Sequence, residues 1–517
     1  MKRPNIVCIV NDHHAHYGHD NVMGPHIQRP NYEQFCNDGI RFNRAYSVCP
    51  LCGPARRSLL TGVYPHTHGE TYCDARHPFD VSSYLETLSK AGYKNYYYGK
   101  WHAGPGEVFD HCCEGFSCIS YGNPYITPEY KDYLKRHNLP EPVIEVEHNM
   151  TPVVSKKATT KEDEDTKKRF GDGEHDCLSW VRDMKEGAPS YQQKAYWCNE
   201  TASGVMKGPK ELHESFFLAD LACEKLKEIA ESKDDTPFTL RVDFWGPHQP
   251  YFPSEEFAAM YDPREIPEYP SFRENVYENA KPKTYAAGAF AHISENGKLI
   301  YPNPMPWSDW QEIIARDYAQ ITQLDAAAGL VLDALKKYGF DENTIVIWTA
   351  DHGDALASHG GHFDKNAYLP EEVLRIPLAM RYPGVIPAHQ VSNELVSNLD
   401  VGTTMLDAAG LKFDHRVDGI SLLPLASGKT RHTRPYFVSE MHGHVTPAMV
   451  RAVISERYKY IFTREDQEEL YDLCVDPHEL TNRINDPDCQ DILNELRQDL
   501  REWAVESHDE ALQKALG

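Results

Sequence analysis

The sequence predicts an α/β fold: a large, mostly parallel sheet sandwiched by helices, followed by a smaller C-terminal α+β subdomain. Apolar runs of strand length alternate with segments of helical periodicity in the first part of the chain, and this pattern changes after Pro377. Alternating strands and helices form parallel sheets that are covered on both faces. We therefore expect a main domain over residues 1–395 and a subdomain with a small antiparallel sheet and a helix over residues 396–517.

Four apolar segments are predicted strands of the large sheet. The first is "NIVCIV" at residues 5–10, whose continuous apolar run is typical of a buried strand. The others cover residues 94–104, 238–250 and 343–354, and all four lead into Asp, His or Lys. Polar residues at one strand end can simply mark a loop, but four such ends favour the interpretation that the strand ends converge on one site. Because ligands bind at the carboxyl ends of parallel strands, we expect one site there.

The clearest predicted helix covers residues 318–338. Its apolar residues recur at spacings of three and four, and Gly339 ends the pattern. In the C-terminal part, residues 456–462 are predicted to form a short strand and residues 491–507 an amphipathic helix. These two elements are the basis for the predicted α+β subdomain.

Two insertions are predicted within the main domain, at about residues 126–237 and 256–314. Residues 155–176 of the first are dense in both charge signs and poor in apolar residues, which predicts a mobile surface excursion. Residues 261–306, all within the second, are rich in Pro and Tyr, which predicts long ordered loops. Long loops beside a site usually set specificity, so we expect the insertions to influence what the site accepts.

Composition excludes several classes of protein. The chain has 517 residues and a net charge of -25, which argues against partners such as nucleic acid or an anionic membrane. No apolar run approaches the roughly 20 residues that span a bilayer, and the start "MKRPNIVCIV" lacks the features of a signal peptide. The thirteen cysteines show no framework spacing. We expect a cytoplasmic protein in a reducing compartment, and the oligomeric state stays open.

The segment "CPLCGPARRSLLTG" at residues 49–62 contains a Cys-x-x-Cys pair. A structural zinc site needs a second pair of ligands, and the adjacent Cys112 and Cys113 do not supply one at a suitable spacing. A redox dithiol requires the pair at a helix start after a strand. A metal or redox module is therefore the non-enzymatic alternative, and it predicts zinc bound by both Cys49 and Cys52 or a disulfide between them.

A second interpretation begins at Cys52. Pro54 is a typical first residue of a helix, and Arg56 then lies in the first turn. Free N–H groups and the positive end of the helix dipole favour an anion at such a start. We expect Arg56 to add a bidentate donor for an oxyanion.

Four segments together resemble the type I, formylglycine-dependent sulfatase family of the alkaline phosphatase superfamily, in its bacterial form. "CGPARRSLLTG" resembles the family signature Cys-x-Pro-x-Arg followed by Leu-Thr-Gly, and "GYKNYYYGKWHAG" resembles the Gly-Lys-Trp-His segment. "NTIVIWTADHGD" is similar to the metal-bearing strand, and "ERYKYIF" with "EELYDLCVDPHEL" to the C-terminal pattern. The resemblance covers most of residues 1–125, 238–255, 315–385 and 445–505. It implies an alkaline-phosphatase-like fold and an enzyme that hydrolyses the sulfate ester of a small organic or carbohydrate substrate.

The resemblance implies that Cys52 is converted to formylglycine by a maturation enzyme, which reads Pro54 and Arg56. The aldehyde hydrates to a gem-diol, one hydroxyl of which attacks the sulfuryl group while the other allows sulfate to leave. An unmodified thiol cannot perform both steps. Without this context, Cys52 would be read as a small buried residue.

The resemblance also implies a divalent cation held by Asp12, Cys52, Asp351 and His352. Hard oxygen ligands suit Ca²⁺, Mg²⁺ or Mn²⁺, and Ca²⁺ is the first expectation, although the His352 nitrogen moves the preference slightly towards Mn²⁺. Many relatives have two consecutive acids where this chain has Asp12 and His13. His13 is therefore either a further ligand or a residue that supports the ligands from outside, and the sequence leaves both open.

Four further residues match catalytic positions of the family. The resemblance implies that Lys100 and Lys365 neutralise sulfate oxygens and that His248 protonates the leaving alcohol, a role that Lys365 can share. His102 is expected to take the proton that accompanies release of sulfate. With Cys52 and Arg56, these complete the catalytic set that we predict.

Other polar residues of the matched segments are expected to be structural. We expect His66 and His68 to pack a loop beside the site, and Arg375 to pair with Glu371 or Glu372. Cys49 is expected to be a bystander packed beside the site.

Phosphonate monoester hydrolases and phosphodiesterases of the same superfamily are the enzymatic alternative. Sulfatases carry a Lys-x-His pair at the position of Lys100 and His102, whereas the phosphonate enzymes have neutral polar residues there. The pair therefore favours sulfate. The expected partners are a small sulfated substrate and the maturation enzyme, with aryl, steroid and carbohydrate sulfates all open.

Overall fold

The computed structural model describes residues 3–16, 27–73, 77–118, 124–149, 191–194, 202–274, 276, 280–283, 292–293, 299–300, 305–444 and 447–517. The strands of these residues, in chain order, are β1 (Asn5–Asp12), β2 (Ile40–Tyr46), β3 (Lys94–Lys100), β4 (Cys113–Cys118), β5 (Val143–Asn149), β6 (Tyr191–Lys194), β7 (Ala202–Lys207), β8 (Phe238–Pro247), β9 (His292–Ile293), β10 (Leu299–Ile300), β11 (Thr344–Ala350), β12 (Arg375–Arg381), β13 (Gln390–Ser392), β14 (Val396–Ser397), β15 (Phe437–Gly443), β16 (Pro447–Ile454), β17 (Tyr458–Thr463) and β18 (Glu469–Asp472).

The helices fall into long elements that cover the sheets and short ones that turn the chain. The α-helices of eight or more residues are Pro30–Asn37, Cys52–Thr61, Pro128–Arg136, Glu214–Ser232, Trp307–Lys337, Val401–Ala408 and Gln490–Glu506. The shorter ones are Pro65–His68, Tyr84–Lys90, Glu255–Ala258, Ser358–Gly361, Glu371–Leu374, Leu423–Ala426 and Glu510–Leu516. Short 3-10 helices cover Val108–His111, Pro124–Ile126, Lys210–Leu212, Pro263–Glu265, Asp341–Asn343, Asn398–Asp400 and Pro487–Cys489.

The large sheet has nine strands among the described residues, in the order β13-β2-β12-β11-β1-β8-β3-β4, with β14 also paired to β2. β12 is antiparallel to both of its neighbours, and the other pairings are parallel. The predicted mostly parallel sheet is therefore confirmed. The four predicted strands are the adjacent central strands β11, β1, β8 and β3. The last ends at Lys100, before the predicted limit at residue 104.

The register aligns the carboxyl ends of these central strands. Asn11 of β1 lies opposite Ala350 of β11, and Asp12 lies opposite Pro247 of β8. The backbone ladder continues beyond β8, because the amide of His248 donates to the carbonyl of Asp12 at 3.1 Å. The residues that follow three strands thus lie together at one edge of the sheet.

Helices cover both faces of the large sheet, as predicted for the α/β class. Glu214–Ser232 and Trp307–Lys337 pack on one face in an apolar core with Val7, Ile9 and Leu240. Residues of Cys52–Thr61, Tyr84–Lys90 and Val401–Ala408 pack on the other face. The long helix begins at Trp307, well before the predicted start at residue 318, because Trp310, Ile313 and Ile314 extend its buried stripe.

The C-terminal part contains a four-stranded antiparallel sheet in the order β15-β16-β17-β18, against which the helix Gln490–Glu506 packs. The predicted strand and helix of this part are β17 and that helix. Val396–Ser397 still pairs with β2 of the large sheet, and the small sheet begins at Phe437. The predicted division at residue 396 stays a prediction.

The two insertions differ in their described residues: the first contains a small sheet, and the second contains loop residues that pack on the long helix. β6, β5 and β7 form a three-stranded antiparallel sheet, and residues 155–176 lie outside the described residues. In the second insertion, Tyr269 is buried and its hydroxyl lies 3.2 Å from that of Tyr318 on the long helix. Across the described residues, none of the helices combines the length and apolar character needed to cross a bilayer.

Candidate active site

Cys52 is the first residue of the helix Cys52–Thr61, and its side chain is fully buried. The helix begins two residues before Pro54, so that Pro54 lies in the first turn, where its missing N–H costs no intrahelical hydrogen bond. The unpaired amides of this turn place partial positive charge around residue 52. A negative charge on residue 52 is therefore stabilised by the backbone itself.

Four predicted metal ligands converge at this helix start. One ligand atom from each of Asp12, Cys52, Asp351 and His352 lies within 4.8 Å of the others, and all four residues are buried. Asp12 ends β1, and Asp351 and His352 follow β11 directly. Cys52 Sγ lies 3.1 Å from His352 Nε2. The convergence expected at the sheet edge is thus present in the fold.

The donor set fits a divalent cation. Asp12 Oδ1 is buried and accepts no hydrogen bond from any described residue. His352 Nδ1 lies 2.8 Å from the carbonyl of Gly353, which makes Nδ1 the donor and leaves the Nε2 lone pair directed towards the cluster. Two carboxylates with one imidazole suit Ca²⁺, Mg²⁺ or Mn²⁺.

Arg56 contacts the carboxylates that surround the cluster. Its Nε donates to Asp351 Oδ2 at 2.9 Å and its Nη1 to Asp243 Oδ2 at 2.8 Å, while Nη2 lies 3.4 Å from Asp12 Oδ1. All of these side chains are fully buried. The sequence predicted a donor for an oxyanion, and that role stays a prediction: Nε and Nη1 donate to the protein's own carboxylates, whereas the buried Nη2 makes no hydrogen bond with the described residues. Arg56 therefore orients two candidate metal ligands.

Lys100 and His102 lie beside the helix start at the end of β3. The Lys100 ammonium contacts Asp12 Oδ2, and although burial opposes ionisation, this contact holds the pKa of Asp12 well below its usual range. His102 is buried with φ of 41°, and a Cβ added to Gly53 would lie 3.5 Å from its carbonyl oxygen. Both predicted residues are thus adjacent to the segment that begins at Cys52.

His248 and Lys365 both contact the ring of His13 beside the cluster. His248 Nδ1 lies 2.6 Å from the carbonyl of Gln249, and the His248 ring stacks on His13 with 4.5 Å between centroids. Lys365 Nζ lies 3.3 Å from His13 Nε2 and 2.9 Å from Asp364 Oδ1. Burial, followed by the charges of His13 and Lys365, lowers the pKa of His248. At neutral pH this favours an uncharged imidazole in the resting site.

The surroundings favour negative charge on residue 52. Burial opposes the thiolate, but a hydrogen bond with Cys73 and the charges of Lys100 and Lys365 hold the pKa of Cys52 well below its usual range. Sequence reasoning did not identify Cys73, because nothing in its spacing marks it. Asp364 and Gln249 were also missed, although each is the immediate neighbour of a predicted residue, Lys365 and His248 respectively.

The two histidines that were expected to pack a loop, His66 and His68, both contact protein groups. His66 Nδ1 lies 2.7 Å from Glu440 Oε2, and His68 Nε2 lies 2.9 Å from Ser58 Oγ, which agrees with the predicted loop packing. Both nitrogens of His66 face acceptors, since Nε2 lies 3.0 Å from the carbonyl of Ser507.

The predicted pairing of Arg375 with a glutamate is wrong. Arg375 donates from Nε and Nη2 to the carbonyl of Asn43 at 2.8 and 2.6 Å, across the antiparallel pairing of β12 with β2. Glu371 instead accepts from Tyr46 at 3.0 Å and from Lys459 at 3.0 Å. The side chain of residue 375 extends along the sheet rather than back towards the preceding helix.

Cys49 is a buried free thiol packed in the apolar core shared with the C-terminal sheet. Cys52 is also free, so that no disulfide joins the pair. The four-residue cluster contains Cys52 and not Cys49. The geometry therefore gives no support to the Cys-x-x-Cys module.

The family model described as "Sulfatase" matches residues 4–411, which is most of the chain. This chain belongs to the sulfatase family. The match contains every residue of the cluster, and a second family model, described as "N-sulphoglucosamine sulphohydrolase, C-terminal", matches residues 358–506 of this sulfatase. The protein is therefore a sulfuric ester hydrolase.

Named relatives extend along almost the whole length of this sulfatase. It is 28% identical to an N-acetylglucosamine-6-O-sulfatase of Bacteroides thetaiotaomicron over 98% of this chain and 87% of the relative. A solved structure described as a complex with D-glucosamine-2-N,6-O-disulfate superposes with a TM-score of 0.68 at 21% identity, covering 98% of this chain and 99% of the other. A phosphonate monoester hydrolase of Agrobacterium radiobacter gives 0.73 at 21% identity over 98% and 96% of the two chains. These two likenesses show a shared alkaline-phosphatase-like fold.

Proposed function

We propose that this sulfatase hydrolyses the sulfate ester of a small sulfated sugar, with residue 52 acting as formylglycine beside one divalent cation. The observation that carries the proposal is the buried cluster of Asp12, Cys52, Asp351 and His352, next to the ammonium of Lys100. The sugar is suggested by the 28% identical N-acetylglucosamine-6-O-sulfatase, whose length this chain largely covers.

The burial of the site supports a small substrate. Cys52 is 0% exposed, Lys100 and His102 are each 2% exposed, and His248 is 9% exposed. To reach such buried groups, a sulfate ester must project into the site from the molecule that carries it. This geometry favours a monosaccharide or the terminal sugar of a chain over an internal position of an intact polysaccharide.

As formylglycine, residue 52 supplies a hydrated aldehyde whose hydroxyl attacks sulfur, and the bound cation supplies positive charge for that hydroxyl and for sulfate. Lys100 and Lys365 add two ammonium groups to the surroundings of residue 52, where charge grows on the sulfate oxygens. Donors fixed in a dry site are worth far more than in water. Arg56 keeps Asp351 and Asp12 in position, because its three nitrogens face carboxylates.

Two histidines are assigned the proton transfers. We assign protonation of the leaving alcohol to His248 in its imidazolium form: Nδ1 donates to the carbonyl of Gln249, so that Nε2 carries the transferable proton, and the negative charge of bound sulfate favours this form over the uncharged resting ring. We assign His102 to the proton released from the remaining hydroxyl of residue 52 as sulfate departs. His102 lies beside Gly53, the residue that directly follows residue 52 in the helix.

Maturation and the ion complete the proposal. Conversion of Cys52 requires a formylglycine-generating enzyme that recognises Cys-x-Pro-x-Arg, here Cys52, Pro54 and Arg56. Ca²⁺ is the first ion to test, followed by Mg²⁺ and Mn²⁺, since oxygen ligands predominate. The predicted cytoplasmic location stays part of the proposal, and it fits a substrate small enough to be imported.

The test is a panel of sulfate esters with protein whose residue 52 has been verified as aldehyde. The panel contains N-acetylglucosamine 6-sulfate, other sugar sulfates, an aryl sulfate, a steroid sulfate and a phosphodiester, with released sulfate or phosphate ester products measured by ion chromatography. We expect the highest kcat/KM on a sugar sulfate. Preference for the aryl or steroid ester would overturn the sugar assignment, and preference for the phosphodiester would overturn the choice of sulfate.

A further inference from the structure

His13 lies directly after Asp12, at the position where the sequence left a metal ligand and a supporting residue equally open. We propose that His13 is a positioning residue that fixes Lys365 and His248, and that it does not bind the cation. This inference rests on the proposed function for its catalytic consequence. The orientation of the His13 side chain, by contrast, is given directly by its contacts with other described residues.

Both ring nitrogens of His13 already face protein groups. Nδ1 lies 3.0 Å from Gln249 Oε1, and Nε2 lies 2.9 Å from Asp364 Oδ1 and 3.3 Å from Lys365 Nζ. A neutral imidazole has one donor and one acceptor. With hydrogen on Nε2 the ring donates to Asp364, and with hydrogen on Nδ1 it donates to Gln249 and accepts from Lys365. Each tautomer thus uses the ring to join these side chains.

The backbone of His13 directs its ring nitrogens to partners outside the ligand cluster, Gln249 and Asp364. Its φ is 64°, a left-handed conformation that is uncommon outside glycine. In this conformation the amide of His13 donates to Asp351 Oδ1 at 3.0 Å, while the side chain points to Asp364. The main chain therefore orients a candidate ligand, and the side chain serves a different contact. The cluster of four ligand atoms within 4.8 Å does not include His13.

The ring also bridges the two parts of the chain that supply the predicted acid and one sulfate-binding lysine. It stacks on His248, which follows β8, with an interplanar angle of 28°, and contacts Lys365 in the segment after β11. It meets His352 edge-on, with 4.6 Å between ring centroids. A group packed against all three fixes the separation of the acid from the lysine. A displacement of about 1 Å in such a constellation can cost on the order of 100-fold in rate.

The experiment compares metal binding with turnover in His13→Ala and His13→Asn, each matured to the aldehyde form. Metal content is measured by elemental analysis and the dissociation constant of Mn²⁺ by calorimetry, with Asp12→Asn as the variant that removes a ligand. We expect both His13 variants to retain one ion per chain and a dissociation constant within about threefold of wild type. We expect kcat to fall by about 10- to 100-fold in His13→Ala, with partial recovery in His13→Asn, whose amide can still reach a partner.

Loss of the ion, or a Mn²⁺ dissociation constant raised as in Asp12→Asn, would overturn the proposal by making His13 a ligand. Unchanged kcat in His13→Ala would overturn it by removing the positioning role. Asp364→Asn is the second test if the His13 variants fold poorly, because residue 13 is intact and the same loss of kcat without loss of the ion is expected. If wild-type protein cleaves none of the esters, the proposed function fails, while the metal measurements still decide whether His13 is a ligand.

Discussion

Arg56 Nε donates a hydrogen bond to Asp351 Oδ2 across 2.9 Å, with both side chains fully buried. The arginine thereby holds a candidate metal ligand in orientation, and its Nη1 reaches Asp243 in the same way. Loss of the arginine would leave a buried carboxylate desolvated without one of its compensating charges, which is costly. The signature arginine therefore has a structural task in addition to its proposed recognition by the maturation enzyme.

Substitution of Arg56 by Gln should destabilise the protein strongly. Removing one partner of a buried ion pair typically costs about 3–5 kcal/mol, and here Asp351 loses its arginine, while the other two carboxylates each keep a second cationic partner. The measurement is the urea midpoint of unfolding with saturating Ca²⁺ present. Cys52→Ala is the matched control, because it also prevents maturation but leaves the carboxylate contacts intact, and we expect a much smaller change. Equal stability of the two variants would contradict the structural task.

Substitution of Lys100 by Ala should reduce sulfate ester turnover more than phosphodiester turnover. Lys100 is buried against Asp12 at the end of β3, where it adds positive charge beside residue 52. Loss of one preorganised donor typically costs about 100- to 1000-fold in kcat. Lys94→Ala at the exposed start of the same strand should leave both activities unchanged. A larger loss on the phosphodiester would favour the alternative hydrolase class.

Removal of the divalent cation should abolish sulfate release and lower the melting temperature. Without the ion, Asp12 and Asp351 face each other in a buried site, and burial with the neighbouring Asp12 charge raises the pKa of Asp351 to about 6. An ion at 100 times its dissociation constant stabilises the native state by about 2.7 kcal/mol. Thermal unfolding with chelator and after re-addition of Ca²⁺, Mg²⁺ or Mn²⁺ measures this. The melting temperature of Asp351→Asn should rise only weakly when each ion is added. An unchanged melting temperature of the wild-type protein after chelation would contradict the metal site.

The contact of His66 with Glu440 should make stability depend on pH. Burial alone would lower the pKa of His66, but Glu440 and the carbonyl of Ser507 raise it to about 9. A raised histidine pKa stabilises the fold fully below the ordinary value of about 6.5, and this contribution is lost as pH rises towards 9. His66→Gln should therefore cost on the order of 2 kcal/mol at pH 6 and little at pH 9.

The measurement for His66 is the difference in urea unfolding between wild type and variant across this pH range. His432→Gln is the control, because that side chain is 88% exposed. A difference that grows above pH 7 would have the wrong sign and would exclude the ion pair as its source.

The sequence predicted the central strands and their convergence because these features depend on local pattern. A continuous apolar run and polar residues at its end are visible in Asn5–Asp12 and Thr344–Ala350 without any knowledge of neighbours. The ligands follow these strands directly, so that the sheet register alone brings Asp12 and Asp351 together.

Contacts between distant side chains were predicted less well. Arg375 was expected to pair within its own segment, but pairing of β12 with β2 presents the carbonyl of Asn43 instead. The direction of His13 depends on a left-handed backbone and on partners more than two hundred residues away, which no local pattern encodes. The type and spacing of residues in the sequence identify which residues belong to such a site, but the partners of each residue depend on the tertiary structure.

Everything proposed for turnover depends on the state of residue 52. Trypsin should release residues 45–56, "AYSVCPLCGPAR", which contain Cys49 as an internal control. The decisive measurement is the mass of this peptide after alkylation, from protein that has been produced with a formylglycine-generating enzyme and hydrolyses sulfate esters. We predict one alkylated cysteine, at Cys49, and an aldehyde at residue 52. Two alkylated cysteines in fully active protein would contradict the mechanism.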